Sequence, residues 1–463
     1  MSRDNDRNAV DRRNVLRGLS AVGTAGLVGL AGCTTEQADG GDGGDGGDGG
    51  SDGGDGGDGG DGTDTQTTEM DSGPDVVVVI GYPESGVQLF KDYYSDFANG
   101  TQFLVTDGLK AEELPADVGN PMENVRGTAP AAAGPGSEFF TNQFEAEYGN
   151  APGVFTAQAY DAAACLLLAN LMAGENDGTG VRDNMRAVAN PGGEQFGPES
   201  LADAVEAAAA GQNIDYVGAS SAVGFDSNGD AAAAVYDLFG FNSDGTTVED
   251  QISFSAGSSI PEPEPAGSGS DSGRDDVRYG VLQPETGDLG SVGTPISQAG
   301  MLPATQLNGA DTGFTFDARA ADTQTQAQAG ISAAESLVNA GYPGICGAAS
   351  STISIQVYQQ VLIPNEVVGC SPASTSPRIT NLQDDDYAFR TPPTDALQGQ
   401  VLAQVASDTI GASSAATMYV NNDYGQALSD VFVENFGGDV VAEVAFEKQQ
   451  SSYTSKLSEA LNA

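Results

Sequence analysis

After a polar N-terminal region, short apolar runs alternate with stretches whose apolar residues recur at helical spacing. Residues 75–80 contain a continuous apolar run, which is typical of a strand buried on both faces of a sheet. A helical pattern over residues 86–97 and a strand at 103–105 follow it. The alternation continues to a strand at 440–446 and a helix at 454–461. This order predicts an α/β fold with mainly parallel sheets.

Three segments depart from this alternation. Residues 234–241 and 247–254 flank a short polar turn and predict a hairpin. Residues 256–276, which are mostly Ser, Gly, Pro and acidic residues, predict a linker in the middle of the chain. A strand at 277–283 follows, and regular alternation resumes from there.

Two hydroxyl-rich loops follow two neighbouring predicted strands, which end near Cys346 and Cys370. A helix-like segment at 353–362 lies between them, so the three elements form a βαβ unit. Ligands of such sheets bind outside the carboxyl ends of the strands. Hydroxyl groups there suit a bound carboxylate, and the candidates are Ser351, Ser374 and Thr375. The alternative is that the hydroxyls of these loops only cap helices, and the residues concerned are Ser350, Ser351, Ser374, Thr375 and Ser376.

Composition excludes several classes of function. The 463 residues include 66 acidic and 17 basic residues, with a formal net charge of −49. Such a surface repels nucleic acid and anionic lipid, and it is typical of proteins from salt-loving microbes. Histidine is absent, which removes the commonest general base and metal ligand, and no paired-carboxylate motif stands out. We therefore expect neither an enzyme nor a cofactor or metal site, and no nucleic-acid partner.

The N-terminal region predicts export and anchoring. Arg12 and Arg13 resemble a twin-arginine signal, and the apolar run after them is too short and glycine-rich for a membrane span. The signal would end at Leu-Ala-Gly-Cys, which resembles a lipobox, so Cys33 would carry a lipid on the outer face of the membrane. The alternative is an ordinary signal with a chance cysteine. Residues 34–73, largely a Gly/Asp repeat, predict a disordered tether.

Motifs in the ordered part of the chain resemble a known family. Residues 347–351 (GAASS), 371–380 (SPASTSPRIT) and 387–391 (YAFRT) are similar to motifs of the leucine/isoleucine/valine-binding proteins of ABC importers. Residues 277–283 resemble that family's opening strand, and residues 284–290 its first ligand-side loop. The resemblance implies a two-lobed, type I periplasmic-binding-protein fold outside the cytoplasm. It would close on an amino acid, with a branched-chain type favoured, and dock on the importer's membrane subunits.

A second class of function stays open at this point. The same two-lobed fold also serves as a sensor, which reports its ligand to a receptor or kinase. The resemblance to the importer family favours transport, and the sensor is the alternative.

The resemblance also assigns residues to the two ends of an amino-acid ligand. Ser351 and Thr375 would hold the α-carboxylate through their hydroxyls, with the Ala373 backbone and Ser374 beside them. Asp107 falls where the family places an acidic residue against the ammonium group. Two amino-acid ends held by charge-assisted hydrogen bonds would give the site its orientation.

Two tyrosines would cover the ligand from the second lobe. Tyr82 and Tyr424 stand in the motifs Gly-Tyr-Pro and Asp-Tyr-Gly, and tyrosine supplies apolar area with a polar tip. The family often has an aromatic residue where the first-lobe loop of this chain has Ser291-Val292-Gly293. The ligand's side chain therefore stays open.

The segments that resemble the family follow an unusual order, 277–463 first and 74–255 second. The final helix has no strand after it, and the first strand has no helix before it, so joining Ala463 to Pro74 would restore the pattern. We therefore expect a circular permutation. Alternatives are a cloning or gene-model artefact and two chains that exchange halves. One lobe would hold residues 129–233 and 277–395, and the other residues 74–128, 234–255 and 396–463.

Cys346 and Cys370 predict a disulfide. Neighbouring strands lie about 4.7–4.9 Å apart, within the roughly 4.4–6.8 Å that separates disulfide-linked Cα atoms. The outside of the cell is oxidising, so such a bond would persist. The alternative is that both residues, together with Cys165, are small core residues with free thiols.

Overall fold

The computed structural model describes residues 73–255, 259–263 and 274–463. The predicted export signal, Cys33 and nearly all of the predicted tether lie outside these residues, as does most of the predicted linker. Within the described ranges, no helix is both long and apolar enough to cross a membrane.

The strands have the following bounds: β1 (Val76–Ile80), β2 (Gln102–Val105), β3 (Val125–Pro130), β4 (Glu194–Phe196), β5 (Ile214–Tyr216), β6 (Ala233–Asn242), β7 (Gly245–Ser255), β8 (Asp276–Gln283), β9 (Thr315–Asp322), β10 (Gly344–Gly347), β11 (Val368–Ser371), β12 (Ala388–Arg390), β13 (Ser414–Val420) and β14 (Asp439–Phe446). The helices are α1 (Pro83–Asp96), α2 (Leu114–Val118), α3 (Ser137–Tyr148), α4 (Thr156–Ala173), α5 (Gly178–Ala189), α6 (Leu201–Ala209), α7 (Gly290–Asn308), α8 (Ala327–Asn339), α9 (Ser351–Val357), α10 (Pro377–Thr380), α11 (Asp395–Gln404), α12 (Asp423–Asn435) and α13 (Thr454–Leu461). The strands and helices that the periodicity predicted are present, with ends that shift by a few residues.

The first lobe is built on a five-stranded sheet with the order β12-β11-β10-β8-β9, in which all strands are parallel. Helix α4 packs against this sheet and is buried over nearly its whole length, because its sequence is a run of Ala and Leu. The predicted βαβ unit is confirmed, since β10 pairs with β11 and the helical segment between them begins at Ser351. That segment widens into a π turn over Tyr358–Leu362.

The second lobe is built on a seven-stranded sheet with the order β14-β13-β1-β2-β3-β6-β7. Its five leading strands are parallel, and the antiparallel pair β6–β7 confirms the predicted hairpin. Strand β1 lies at the centre with every residue buried, because parallel neighbours and helices cover both of its faces. The predicted α/β class with two mainly parallel sheets is therefore confirmed.

The predicted disulfide between Cys346 and Cys370 is wrong, because both residues are buried free thiols. The two cysteines stand directly opposite each other in parallel register, so strand spacing alone allowed the bond. The Cys346 thiol instead donates to the Ala159 carbonyl oxygen of α4 at 3.6 Å, which turns the sulfur toward the helix. Burial raises the pKa of Cys346 to about 12 and that of Cys370 well above its usual value, which suppresses the reactive thiolate.

We expect Cys165, Cys346 and Cys370 each to carry a free thiol in the mature protein. Alkylation in denaturant without reductant, followed by peptide mass spectrometry, should label all three, because each is buried in the core of the first lobe. The same sample reduced beforehand is the control and should give the same count. A gain of two labelled cysteines on reduction would restore the disulfide.

Candidate functional site

A small cavity of about 30 Å³ lies between the carboxyl ends of the two sheets. The first lobe contributes Ala349, Ser350, Ser351 and Ala373 to its wall, and the second contributes Tyr82, Asp107, Gly108 and Tyr424. Five of the residues predicted to bind ligand therefore face one cavity: Tyr82, Asp107, Ser351, Ala373 and Tyr424.

On the first-lobe wall, the hydroxyls tie the two loops together. Ser351 Oγ accepts a hydrogen bond from the Ser376 N–H at 3.3 Å, which joins the loop after β10 to the loop after β11. Ser350 occupies the N-cap position of α9, but its side chain makes no capping hydrogen bond. The capping interpretation therefore does not account for these two serines.

The structure does not bring Ser374 to the cavity wall. Its hydroxyl lies 2.7 Å from Ser354 Oγ and donates toward the carbonyl oxygens of Ala348 and Ala349 at 2.8 and 3.0 Å. Ser374 thus holds the shape of the loop rather than facing a ligand. Thr375 is also absent from the cavity wall, and it is buried.

On the second-lobe wall, two tyrosines form a stacked pair. The rings of Tyr82 and Tyr424 lie 5.9 Å apart between centroids and are 11° from parallel. The Asn422 side-chain amide donates to Tyr82 Oη at 2.9 Å, and burial raises the pKa of Tyr82 to about 12. Tyr424 Oη lies 2.7 Å from Thr106 Oγ1 and 3.3 Å from Asp107 Oδ1, so both rings are fixed from behind.

Asp107 lies at the carboxyl end of β2, in a short 3₁₀ turn over Asp107–Leu109. Its side chain is buried, and this burial raises its pKa to about 6 even though Gln398 and Tyr424 stabilise the charged form. Gly108 follows because a Cβ at that position would lie 2.4 Å from the Gly81 carbonyl oxygen. The glycine lets the turn press against Gly81 and present the carboxylate to the cavity.

Sequence reasoning missed Asp395, a second buried carboxylate at the start of α11. Its side chain is buried, and its backbone N–H donates to the Thr375 carbonyl oxygen at 2.8 Å. Burial first, and the negative charge of Asp107 second, raise the pKa of Asp395 well above its usual value. From the sequence, Asp395 looks like an ordinary acidic residue in the first turn of a helix, because Thr394 before it is the N-cap.

The rest of the cavity wall is mainly apolar: Pro284 and Leu289 belong to the predicted ligand-side loop, whereas Phe155 and Ile296 were not predicted. It comprises Phe155, Pro284, Leu289, Val292 and Ile296. Phe155 has a φ of 64°, which is uncommon for a residue with a side chain, and it lines the same cavity as Val292. A hydroxyl wall, a carboxylate wall and an apolar wall thus surround one space.

Side chains bridge the two lobes at the cavity mouth. Arg378 of the first lobe forms a salt bridge with Asp423 of the second, and the Asp423 N–H donates to Thr352 Oγ1 at 3.2 Å. On the other side, Ser291 Oγ donates to Glu84 at 3.0 Å. The lobes therefore contact each other on both sides of the cavity.

The arrangement offers no metal site in the described ranges, where no group of three or more acidic or cysteine side chains could hold an ion. The predicted ligand residues instead suit a small molecule with an anionic end and a cationic end. A sequence model of the periplasmic binding protein family matches residues 65–203 and 276–463.

The chain belongs to the periplasmic binding protein family. Members bind solutes outside the cytoplasm and are not enzymes, and the fold is of the two-lobed type I kind. This confirms the predicted fold class and the expectation that the chain is not an enzyme.

Curated relatives match parts of the chain. The Leu/Ile/Val-binding protein homolog 3 of Brucella melitensis is 25% identical over 37% of this chain and 47% of its own length. A chemotactic signal transduction system substrate-binding protein of Halobacterium salinarum, BasB, is 34% identical over 17% of this chain and 20% of its own. The chain thus spans at most about half the length of these relatives.

Solved structures also match only part of this chain. A leucine binding protein LivK from Thermotoga maritima is 24% identical, with a TM-score of 0.36, over 39% of this chain and 52% of its own. The branched-chain amino acid transporter substrate binding protein LivJ from Streptococcus pneumoniae, solved with isoleucine, is 22% identical over 39% and 52%, with a TM-score of 0.36.

Replacing Arg378 by Gln should speed ligand release by up to about fivefold, because an exposed ion pair is worth roughly 0.2–1 kcal/mol. The effect should shrink as salt is raised, and stopped-flow tyrosine fluorescence measures it. Arg126→Gln is the matched control, since Arg126 pairs with Glu249 at 2.9 Å within the second lobe. Equal effects from the two variants would contradict a role in holding the lobes together.

Proposed function

We propose that this protein is the substrate-binding component of an ABC importer and captures an amino acid, with a branched-chain type favoured. The observation that carries the proposal is the cavity between the lobes, with serine hydroxyls on one wall and the buried Asp107 on the other. A zwitterion has opposite charges at its two ends, so it complements both walls at once. The apolar third wall favours an aliphatic side chain.

Each end of the ligand would meet a defined set of groups. The α-carboxylate would accept hydrogen bonds from Ser351 and from the loop that contains Ala373. The ammonium group would donate to Asp107. Charge-assisted hydrogen bonds are shorter and stronger than neutral ones, and burial removes the water that would compete for them. Phe155, Val292 and Leu289 would contact the side chain.

Binding would favour the closed arrangement, because only there does one ligand touch both lobes. A ligand shifts such an equilibrium by the difference between its affinities for the open and closed forms. Here the difference comes from the ammonium contacts on the second lobe, which an open cleft would lose. The importer's membrane subunits would then recognise the closed form, outside the cytoplasm. Anchoring through a lipid on Cys33 belongs to the same proposal.

A sensing role is the second candidate. It is favoured by the short match to BasB, a protein named for chemotactic signal transduction. The same ligand site would serve either role, since both depend on ligand-linked closure. Co-purification with membrane permease subunits would support transport, and co-purification with a signal transducer would support sensing.

Substituting Asp107 by Ala should weaken amino-acid binding by about tenfold or more, because a hydrogen bond to a charged group is worth roughly 1.5–3 kcal/mol. Wild-type protein is first screened by thermal shift against amino acids in high salt, and calorimetry then compares the variants. Asp439→Ala removes an exposed carboxylate from the start of β14 and should bind as wild type. Unchanged affinity in Asp107→Ala would remove this residue from the site, and no stabilisation by any amino acid would refute the proposed ligand class.

We also propose that the chain is circularly permuted. The first-lobe sheet, numbered along the chain, has the doubly wound order 2-1-3-4-5. The second-lobe sheet has the same order in its first five strands only if β13 and β14 are counted before β1. Counting β13 and β14 first is equivalent to connecting the end of α13 directly to the start of β1. Helix α13 would then be the crossover between the parallel strands β14 and β1.

The two ends of this would-be crossover touch. A Cβ placed on Gly73 would lie 2.0 Å from the Leu461 carbonyl oxygen, so the start of the second lobe and the end of α13 are in direct contact. Asp75 then fastens the start of β1 to the loop before β13, where its carboxylate accepts from the Ser413 N–H at 2.8 Å. Chain ends this close favour permutation, since joining them costs little.

A rearranged chain tests the permutation. Residues 274–463 are placed first, followed by a short Gly-Ser joint and then residues 73–255. We expect a monomer with the affinity of the natural order, because every strand pair is retained. A shuffled control in which the joint follows residue 400, inside α11, should fail to fold. Failure of the first rearrangement as well would contradict the proposal.

A further inference from the structure

The loop between α1 and β2 contains the sequence Asn99-Gly100-Thr101. It fits the acceptor motif for N-linked sugars, which is an asparagine, any residue except proline, and then serine or threonine. In the 463 residues, no other asparagine has a serine or threonine two positions after it. The ligand site makes no use of this loop, and the geometry of the loop decides whether the motif is a site.

Three donors fix the orientation of the Asn99 side-chain amide. Its Oδ1 accepts from Thr101 Oγ1 at 2.7 Å, from the Thr101 N–H at 3.3 Å and from Tyr93 Oη at 3.2 Å. A backbone N–H can only donate, so turning the amide over would place its NH₂ group against that N–H. The oxygen of the amide is therefore held inside the turn, and its nitrogen lies on the other side.

The Asn99 nitrogen is the atom that a sugar would join, and it is accessible. Among the described residues it has no hydrogen-bond acceptor, and Asn99 is exposed. Gly100 has a φ of 86°, and no heavy atom lies within 4 Å of the position that its Cβ would take. This left-handed backbone favours glycine and leaves the middle of the motif open. The folded protein can thus present the motif to an enzyme.

The inner side of the loop is held by the body of the second lobe. Asn124 Nδ2 donates to the Thr101 carbonyl oxygen at 2.8 Å, and Tyr94 Oη donates to Asn124 Oδ1 at 2.5 Å. The motif therefore keeps its place on the surface after folding. This is a requirement here, because the predicted twin-arginine signal exports proteins that are already folded.

The motif lies at the end of the second lobe that is remote from the ligand cavity. It precedes β2, whereas Asp107 follows β2, and four strand residues span roughly 13 Å. Gln102, directly after the motif, pairs with Val76 at the start of β1. A sugar on Asn99 would thus lie beside the point where the N-terminal segment enters the fold, and the cavity mouth would stay open.

We propose that Asn99 is an N-glycosylation site that is modified outside the cytoplasm after folding. The donor is an oligosaccharide linked through phosphate to a membrane lipid. A bond forms between Asn99 Nδ2 and C1 of the first sugar, while the bond from C1 to the phosphate oxygen breaks. The lipid phosphate leaves with that electron pair, the amide nitrogen gives up one proton, and nothing is oxidised or reduced. The site is independent of which ligand the cavity binds.

Peptide mapping of the mature protein, purified from its own organism, tests the site. Trypsin releases residues 92–110, in which Asn99 is the single asparagine. We expect this peptide to carry a sugar on Asn99, located by electron-transfer fragmentation, which leaves the sugar attached. A peptide without sugar, or with the sugar on a serine or threonine, would overturn the proposal.

The sequence Asn228-Gly229-Asp230 is a matched internal control. It also has an exposed asparagine followed by glycine, but an aspartate stands where the motif has threonine. Asn228 should carry no sugar in the same digest. Conversion of Asn99 and Asn228 to aspartate without any sugar would show ordinary deamidation at Asn-Gly bonds and would also overturn the proposal.

Three variants, expressed in the same organism, separate the role of the amide from that of the hydroxyl. Asn99→Gln and Thr101→Val should lose the sugar completely, whereas Thr101→Ser should keep it, because serine retains the hydroxyl donor. Circular dichroism checks that each variant is folded. Wild-type sugar content in folded Thr101→Val would contradict the assignment of the motif. If a variant does not fold, the peptide map of the wild type decides.

Discussion

The neutralisation of a buried carboxylate is the constraint on which the site depends. Asp107 is buried at the cavity wall, on a turn pressed against Gly81. Burying an unpaired charge there would cost far more free energy than a contact between the lobes supplies. Within the described residues, the groups that stabilise its charged form are the Tyr424 hydroxyl, which donates at 3.3 Å, and the Gln398 amide, and neither is a basic residue. Under the proposed function, a ligand that brings its own positive charge would complement such a site.

A shortage of basic residues characterises the whole chain. With 17 basic residues against 66 acidic ones, few cations are available, and several of them occupy structurally decisive positions. Arg390 is completely buried and holds the loop after β11 through carbonyl oxygens, while Arg378 spans the cavity mouth. The acidic excess is spread over solvent, where salt screens it. A small number of basic side chains therefore holds internal loops and lobe contacts in place. The remaining charge, which is mostly acidic, faces solvent.

The pattern of apolar and polar residues predicted the strands and helices, because these elements depend mainly on residues that are close together in the sequence. Continuous apolar runs gave β1 and the hairpin, and the hydroxyl-rich loops led to Ser351. The misses have a shared cause. The direction of the Cys346 sulfur, the use of the Ser374 hydroxyl by carbonyl oxygens and the burial of Asp395 all depend on neighbours distant in sequence. An acid in a first helical turn looks the same whether water or a protein core surrounds it.

Gly73 stands where the predicted N-terminal tether meets the folded part of the chain, so its position determines to which lobe the tether is attached. The polar N-terminal segment enters the fold at β1, at the centre of the seven-stranded sheet, and not at β8 of the five-stranded one. If Cys33 carried a lipid, the tether would therefore join the membrane to the second lobe. If the chain is permuted as we propose, the unpermuted order would join the tether to β8, and the first lobe would be the one attached. The proposed permutation would then change which lobe is anchored while keeping every strand pair.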